Sequence, residues 1–205
     1  MDVIECDVHL SADGRLPVIH DHTLERTTNG QGAVGMRTMA ELKELDAGAG
    51  ERIPELHEVV ELARGRAGLA IEIKSLPVLY AGIEQVLVDE LRRLDFVAGS
   101  VVISFDHRTI RQVKDLEPAL VVGALVAGRP VLIPELLRHA GADVYSPHWS
   151  FVDEDTVAEV HEAGAVVGVW TVDEEWVLQR CLSLGVDAVY TNAPRAMLRA
   201  LGRRS

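Results

Sequence analysis

Charged side chains recur at alternate positions in two short, β-branched stretches. In Ile4-Glu5-Cys6-Asp7-Val8, Glu5 and Asp7 share one face of an extended chain, and Ile4, Cys6 and Val8 share the other. In Ile71-Glu72-Ile73-Lys74, Glu72 and Lys74 lie opposite Ile71 and Ile73. If the apolar faces pack on helices, three carboxylates and an ammonium turn to the inside of a sheet, where branched apolar residues normally sit. With no cluster of Cys or His beside them, such carboxylates suit a hard cation, Mg²⁺ or Ca²⁺, better than Zn²⁺. Lys74 then becomes a phosphate contact. The plainer alternative is two half-exposed strands with Lys74 paired to Glu72 or another acid.

The surrounding sequence supplies elements to position these residues. β-Branched runs at Val3–Val8, Leu69–Lys74, Val101–Ser104, Leu120–Leu125, Asp143–Ser146, Val166–Trp170 and Ala188–Thr191 predict strands. Helical periodicity predicts helices over Ala81–Leu94, His107–Leu116, Pro134–Ala140, Asp153–Ala163, Glu174–Leu184 and Pro194–Leu201. Thr38 followed by Glu41 predicts a capping box, and Pro54 a first helical position ahead of Leu56, Val59, Val60 and Ala63. Gly141-Ala142-Asp143 and Gly185-Val186-Asp187 end helices and return the chain to a strand. Strands alternating with helices imply a parallel sheet, closed as a barrel or open and doubly wound. No Gly-rich phosphate loop follows any strand, which weighs against a nucleotide fold.

One stretch departs from this rhythm. Leu16–His20 is expected as a short return strand after a turn at Ser11–Gly14, followed by an irregular loop from His22 to Arg37. Loops of that length in compact domains are often functional.

These segments together resemble the glycerophosphodiester phosphodiesterase family. The resemblance rests on Ile4-Glu5-Cys6-Asp7-Val8, Asp13-Gly14, Val18-Ile19-His20-Asp21, Leu24 and Arg26-Thr27-Thr28-Asn29-Gly30. It continues through Glu41-Leu42, Leu45-Asp46-Ala47-Gly48, Ile53-Pro54, Ile71-Glu72-Ile73-Lys74 and Ser104-Phe105-Asp106. Pro147-His148, Val169-Trp170-Thr171-Val172 and Thr191-Asn192-Ala193-Pro194 complete it, in order along nearly the whole chain. It implies an α/β fold, a TIM-type (β/α)₈ barrel, as one domain over residues 1–205. It further implies a metal site at Glu5, Asp7 and Glu72, a catalytic His20 and a phosphate-binding Lys74. A positioned acid that protonates a departing alkoxide contributes roughly 10²–10⁴ in rate. Trp170, at a strand end, either walls the pocket or belongs to the core; His148 is a second pocket candidate. His9, His22, His107 and His161 are expected in loops or at the surface, and Cys6 against the helix layer.

Two features depart from the family pattern. Its first strand carries His-Arg-Gly, followed by Pro-Glu-Asn-Thr and a helix, and neither motif occurs in this sequence. The expected barrel is thus missing its first strand and helix, and the open seam invites self-association. Asn192 stands where the family usually has Asp. Function then has two readings: hydrolysis of a small glycerophosphodiester in phospholipid turnover, or a non-catalytic relative that binds a metal or phosphate ligand without turnover.

Composition agrees with an enzyme of this kind. Hydrophobic residues make up 48% of the 205, enough for a full core. A net charge of -12 argues against a nucleic-acid partner. No apolar run approaches the ~20 residues of a membrane span, and no basic-then-apolar leader opens the sequence. Cys6 and Cys181, far apart, read as reduced thiols of a cytoplasmic protein.

Overall fold

A computed structural model describes residues 3–203. The chain runs from β1 (Val3–Val8) through a long excursion holding α1 (Met39–Lys43) to α2 (Leu56–Ala63). Strand and helix then alternate: β2 (Gly68–Ile73), α3 (Ile83–Arg93), β3 (Ser100–Ser104), α4 (His107–Leu116), β4 (Val121–Val126) and α5 (Ile133–Ala140). The series closes with β5 (Val144–Pro147), α6 (Glu154–Glu162), β6 (Val166–Val169), α7 (Glu175–Leu184), β7 (Ala188–Val189) and α8 (Pro194–Ala200). All seven strands are parallel and lie in sequence order, from β1 to β7. This is the curled parallel sheet of a TIM-type barrel with helices outside.

Alternation decides the two faces of the sheet. Cys6, Val8, Ile71 and Ile73 pack outward on Leu56, Val60, Leu87 and Leu91 of α2 and α3. Those four helix residues are fully buried, each favouring the fold by roughly 1.5–3 kcal/mol. A smaller inner cluster of Ala70, Ile103 and Leu125 is covered by Val101, Trp170 and Tyr190. Glu5 faces inward level with Ala70, and Asp7 and Glu72 lie one inward step further along the same two strands.

The recurrent Gly-x-Asp steps do more than stop helices. Gly141 and Gly185 cap α5 and α7 at φ 66° and 77°, a left-handed conformation that costs glycine little. Two residues later, Asp143 Oδ2 accepts from the Val122 N–H at 2.9 Å, and Asp187 Oδ2 from the Val167 N–H at 2.8 Å. Each aspartate thus satisfies a backbone donor on the neighbouring strand. From the helix layer, Lys114 pairs with Asp143 at 2.9 Å and His161 Nε2 bonds to Asp187 at 2.8 Å.

Two local expectations are corrected. Leu16–His20 is not a strand: Val18 bridges Val8 and Pro17 bridges Glu55 as isolated pairs. Its bonds go alternately to two partners, with Val18 N–H donating to the Pro54 carbonyl and Ile19 N–H to that of Asp7. Pro17 has no N–H to extend either ladder. Pro54 is not the first residue of α2, because Glu55 is its N-cap and exchanges hydrogen bonds with Glu58 in a capping box. The box predicted at Thr38 and Glu41 does begin α1. The excursion carries its own small core of Ile19, Leu24, Val34, Met39, Leu42 and Ile53.

Candidate active site

Parallel pairing of β1 and β2 sets Asp7 directly beside Glu72. With Glu5 one inward step earlier, the three side chains bring ligand oxygens within 4.8 Å of one another. Lys74, just past the end of β2, turns its ammonium into this group. Its Nζ lies 3.1 Å from Asp7 Oδ1 and 3.0 Å from Glu72 Oε1. Lys74 is thus paired with acids, as the plainer alternative expects, and those acids are the candidate cation ligands.

The electrostatics bear on whether a cation fits. Burial, then Asp7 and Glu72, push the Glu5 carboxyl up to about 8. Part of Glu5 remains open to water, which screens some of that push. Glu72 is also raised, chiefly by burial, with Lys74 opposing. Burial disfavours the Lys74 ammonium, but Glu72 and Asp7 outweigh it and raise its pKa. One ammonium against three ionised carboxylates leaves two negative charges, which a single divalent cation balances. All the donors are oxygen, as Mg²⁺ and Ca²⁺ require. The residues fit such an ion.

A second trio, Glu55, His57 and Glu90, is equally compact. Its carboxylates already have cations, Arg15 Nε at 2.7 Å from Glu55 and Arg93 Nη2 at 2.7 Å from Glu90. It lacks the uncompensated charge of the first.

His20 comes to the acids from the excursion loop. Its Nε2 lies 3.4 Å from Lys74 Nζ, and its Nδ1 lies 2.7 Å from Asp21 Oδ1. An ammonium only donates, so Nε2 accepts and the ring proton sits on Nδ1 toward Asp21. Arg26 grips Asp21 through two bonds, Nε to Oδ2 at 2.5 Å and Nη2 to Oδ1 at 2.7 Å. These bonds from Arg26, with that from His20, hold the Asp21 carboxyl far below the usual carboxylate range. The motif contains Asp21 and Arg26 without revealing their task; the signal it offers is their spacing, Asp21 immediately after His20 and Arg26 five residues further on.

Trp170 and His148 stand together on the same rim, at the ends of β6 and β5. They form an isolated parallel bridge, with ring centroids 5.1 Å apart. Trp170 Nε1 donates to the Ser146 carbonyl at 2.8 Å, while its ring meets Phe105 edge-on at 5.5 Å. It also packs on the inner cluster, as the core alternative expects. Phe105 also lines a cleft of about 80 Å³ with Glu72, Lys74, Ser75 and Leu76. His148 bonds locally to Ser150 Oγ at 2.7 Å.

One loop histidine is buried. His9 is not at the surface: it is 1% exposed, and burial pulls its pKa down to about 4. It follows β1 where Tyr80, from the loop before α3, and the excursion loop close over the strand end, which no local pattern reveals.

Comparisons with known proteins agree with this geometry. Residues 1–196 match the model of the glycerophosphoryl diester phosphodiesterase family. A glycerophosphodiester phosphodiesterase of Caldanaerobacter subterraneus subsp. tengcongensis is 38% identical, aligned over 96% of this chain and 84% of that protein. One from Bacillus altitudinis is 33% identical over 94% of this chain and 83% of its own. The structure of an Oleispira antarctica phosphodiesterase, in complex with the product sn-glycerol-3-phosphate, superposes with a TM-score of 0.87. That protein is 29% identical, with 98% of this chain and 85% of its own covered. This chain belongs to the glycerophosphoryl diester phosphodiesterase family.

Proposed function

We propose that this protein hydrolyses small glycerophosphodiesters, such as deacylated phospholipids, to an alcohol and glycerol 3-phosphate, using one divalent cation, Mg²⁺ or Ca²⁺. The observation that carries the proposal is the convergence of Glu5, Asp7, Glu72, Lys74 and His20 at one strand-end rim. Glu5, Asp7 and Glu72 would hold the cation, which when bound polarises phosphoryl oxygens as a Lewis acid. Lys74 contributes a fixed positive charge for the phosphate. His20, with Asp21 fixing its tautomer, takes or gives a proton at Nε2, facing the site. Trp170 and Phe105 supply an apolar wall for the alcohol side, and His148 buttresses Trp170.

Supply of glycerol 3-phosphate from phospholipid turnover is the role that fits this chemistry. We place the protein in the cytoplasm on its two free, buried thiols, Cys6 and Cys181. Among the described residues, no helix is long and apolar enough to cross a membrane.

The test is release of glycerol 3-phosphate from glycerophosphocholine, with Mg²⁺ or Ca²⁺ and then with chelator. It is run on Met1–Ser205 and on a version extended by a His-Arg-Gly strand and helix. Cation-dependent release supports the reading. Cation binding without release from either version would establish the non-catalytic alternative.

A further inference from the structure

The buried histidine His9 lies outside the roles assigned above, yet its two ring nitrogens touch both loops that carry them. Its Nε2 lies 3.2 Å from the backbone carbonyl oxygen of His20. A carbonyl only accepts, so Nε2 carries the proton. In a neutral ring Nδ1 is then an acceptor, and Tyr80 Oη, 3.0 Å away, must donate to it. The result is a directed chain from the Tyr80 hydroxyl through the His9 ring to the His20 carbonyl.

Tyr80 is placed for this purpose by its own contacts. It lies between β2 and α3, six residues after Lys74, and meets His9 edge-on with ring centroids 5.5 Å apart. Gly35 of the excursion lets the ring approach: a Cβ there would stand 2.7 Å from Tyr80 Cε1. Excursion loop, strand β1 and the loop after Lys74 are thus joined at one buried ring.

We infer that His9 and Tyr80 are a positioning pair for His20, fixing the backbone from which its ring reaches Lys74 and the acids. Asp21 sets the ring of His20 by its Nδ1; His9 sets the main chain by its carbonyl. A displacement of about 1 Å in an acid–base group costs up to ~10²-fold in rate, so this anchor belongs in kcat and not in substrate affinity. The role in turnover rests on the proposed hydrolysis; the anchoring itself does not.

Both are tested with His9→Leu, His9→Gln, Tyr80→Phe and His20→Ala in the full chain with Mg²⁺, by amide hydrogen exchange and by turnover. His9→Leu should speed exchange at residues 19–22 about tenfold while Ile71 and Ile73 stay protected. It should lower kcat about tenfold with KM nearly unchanged, and His9→Gln, which restores a donor, should recover most of both. Added to His20→Ala, His9→Leu should cause no further loss, because the pair acts through that ring. Should His9→Leu fail to fold, Tyr80→Phe carries the same test at about threefold. Wild-type exchange in a folded His9→Leu or Tyr80→Phe variant, or additive losses with His20→Ala, would overturn the inference. Absence of turnover in both the wild-type chain and its extended version counts against the proposed function, while exchange at residues 19–22 still decides the anchor.

Discussion

Nε2 of His20 faces Nζ of Lys74 across 3.4 Å, although 54 residues separate them. The proposed proton-transfer group and a fixed positive charge therefore share one corner of the acid cluster. If His20 protonates the departing alkoxide, His20→Ala should lose about 10²–10⁴ in rate on glycerophosphodiesters. A nitrophenyl leaving group needs little protonation, so the same variant should lose much less on a nitrophenyl phosphodiester. Equal losses on both substrates would assign His20 a different role. The comparison is made in the extended version of the chain.

The acids carry a pH signature. The Glu5 pKa rises from 4.5 toward about 8 on folding. A raised folded-state value means that stability present below pH 4.5 is lost as pH climbs through 8. Without metal, Glu5→Gln should therefore raise the melting temperature more at pH 9 than at pH 5. With Mg²⁺ or Ca²⁺ the order reverses, because the cation competes with the proton and the amide cannot replace the carboxylate. Thermal melts across this range, with and without chelator, provide the check.

Asn192 receives a structural account from Asp173. Its backbone N–H and side-chain Nδ2 donate to the two Asp173 oxygens, at 2.7 and 3.0 Å, while Thr191 Oγ1 adds a third bond at 3.0 Å. Burial opposes ionisation of Asp173, and these donors reverse the balance and hold its pKa below the ordinary value. Asn192→Asp replaces a donor with a like charge. The variant should lose roughly 1 kcal/mol at pH 7 in urea unfolding, and less near pH 4, where the added carboxyl protonates. An unchanged midpoint at pH 7 would show that the Asp173 bonds contribute nothing.

Much of this architecture is visible in local sequence. Alternation in Val3–Val8 and Ile71–Lys74 correctly divides inward acids from outward apolar residues, because a strand has a strict two-residue period. The Thr38 box and the two Gly-x-Asp steps are equally local, and they appear as expected. What local pattern does not carry is pairing across distance. His9 looks like any polar residue after a strand until Tyr80, 71 positions away, closes over it. Leu16–His20 has the composition of a strand, but its neighbours on either side offer bonds only alternately. The Asn192–Asp173 contact needs two strand ends brought side by side, and only the folded sheet supplies that.

The sheet itself suggests a fourth experiment. Among the described residues, β1 pairs with β2 and β7 with β6, which leaves one edge of each outermost strand unpaired. Exposed strand edges template pairing with other chains. Met1–Ser205 should therefore self-associate in light scattering and turn over slowly. Extension by a His-Arg-Gly strand and helix should give a monodisperse, faster enzyme. A monodisperse short chain that matches the extended one in rate would contradict this.

The proposed cation site is the centre of the account, and Glu72 is its most enclosed candidate ligand, with a side chain 12% exposed. The most direct measurement is the melting temperature of wild type and Glu72→Ala during titration with Mg²⁺ and, separately, Ca²⁺. A ligand held only by the native state stabilises by RT ln(1 + [L]/Kd), about 2.7 kcal/mol at a hundredfold excess over Kd. The account predicts a saturable rise in wild type with at least one of the two ions, and none in Glu72→Ala. An equal rise in both proteins, or no rise in wild type with either ion, would contradict it.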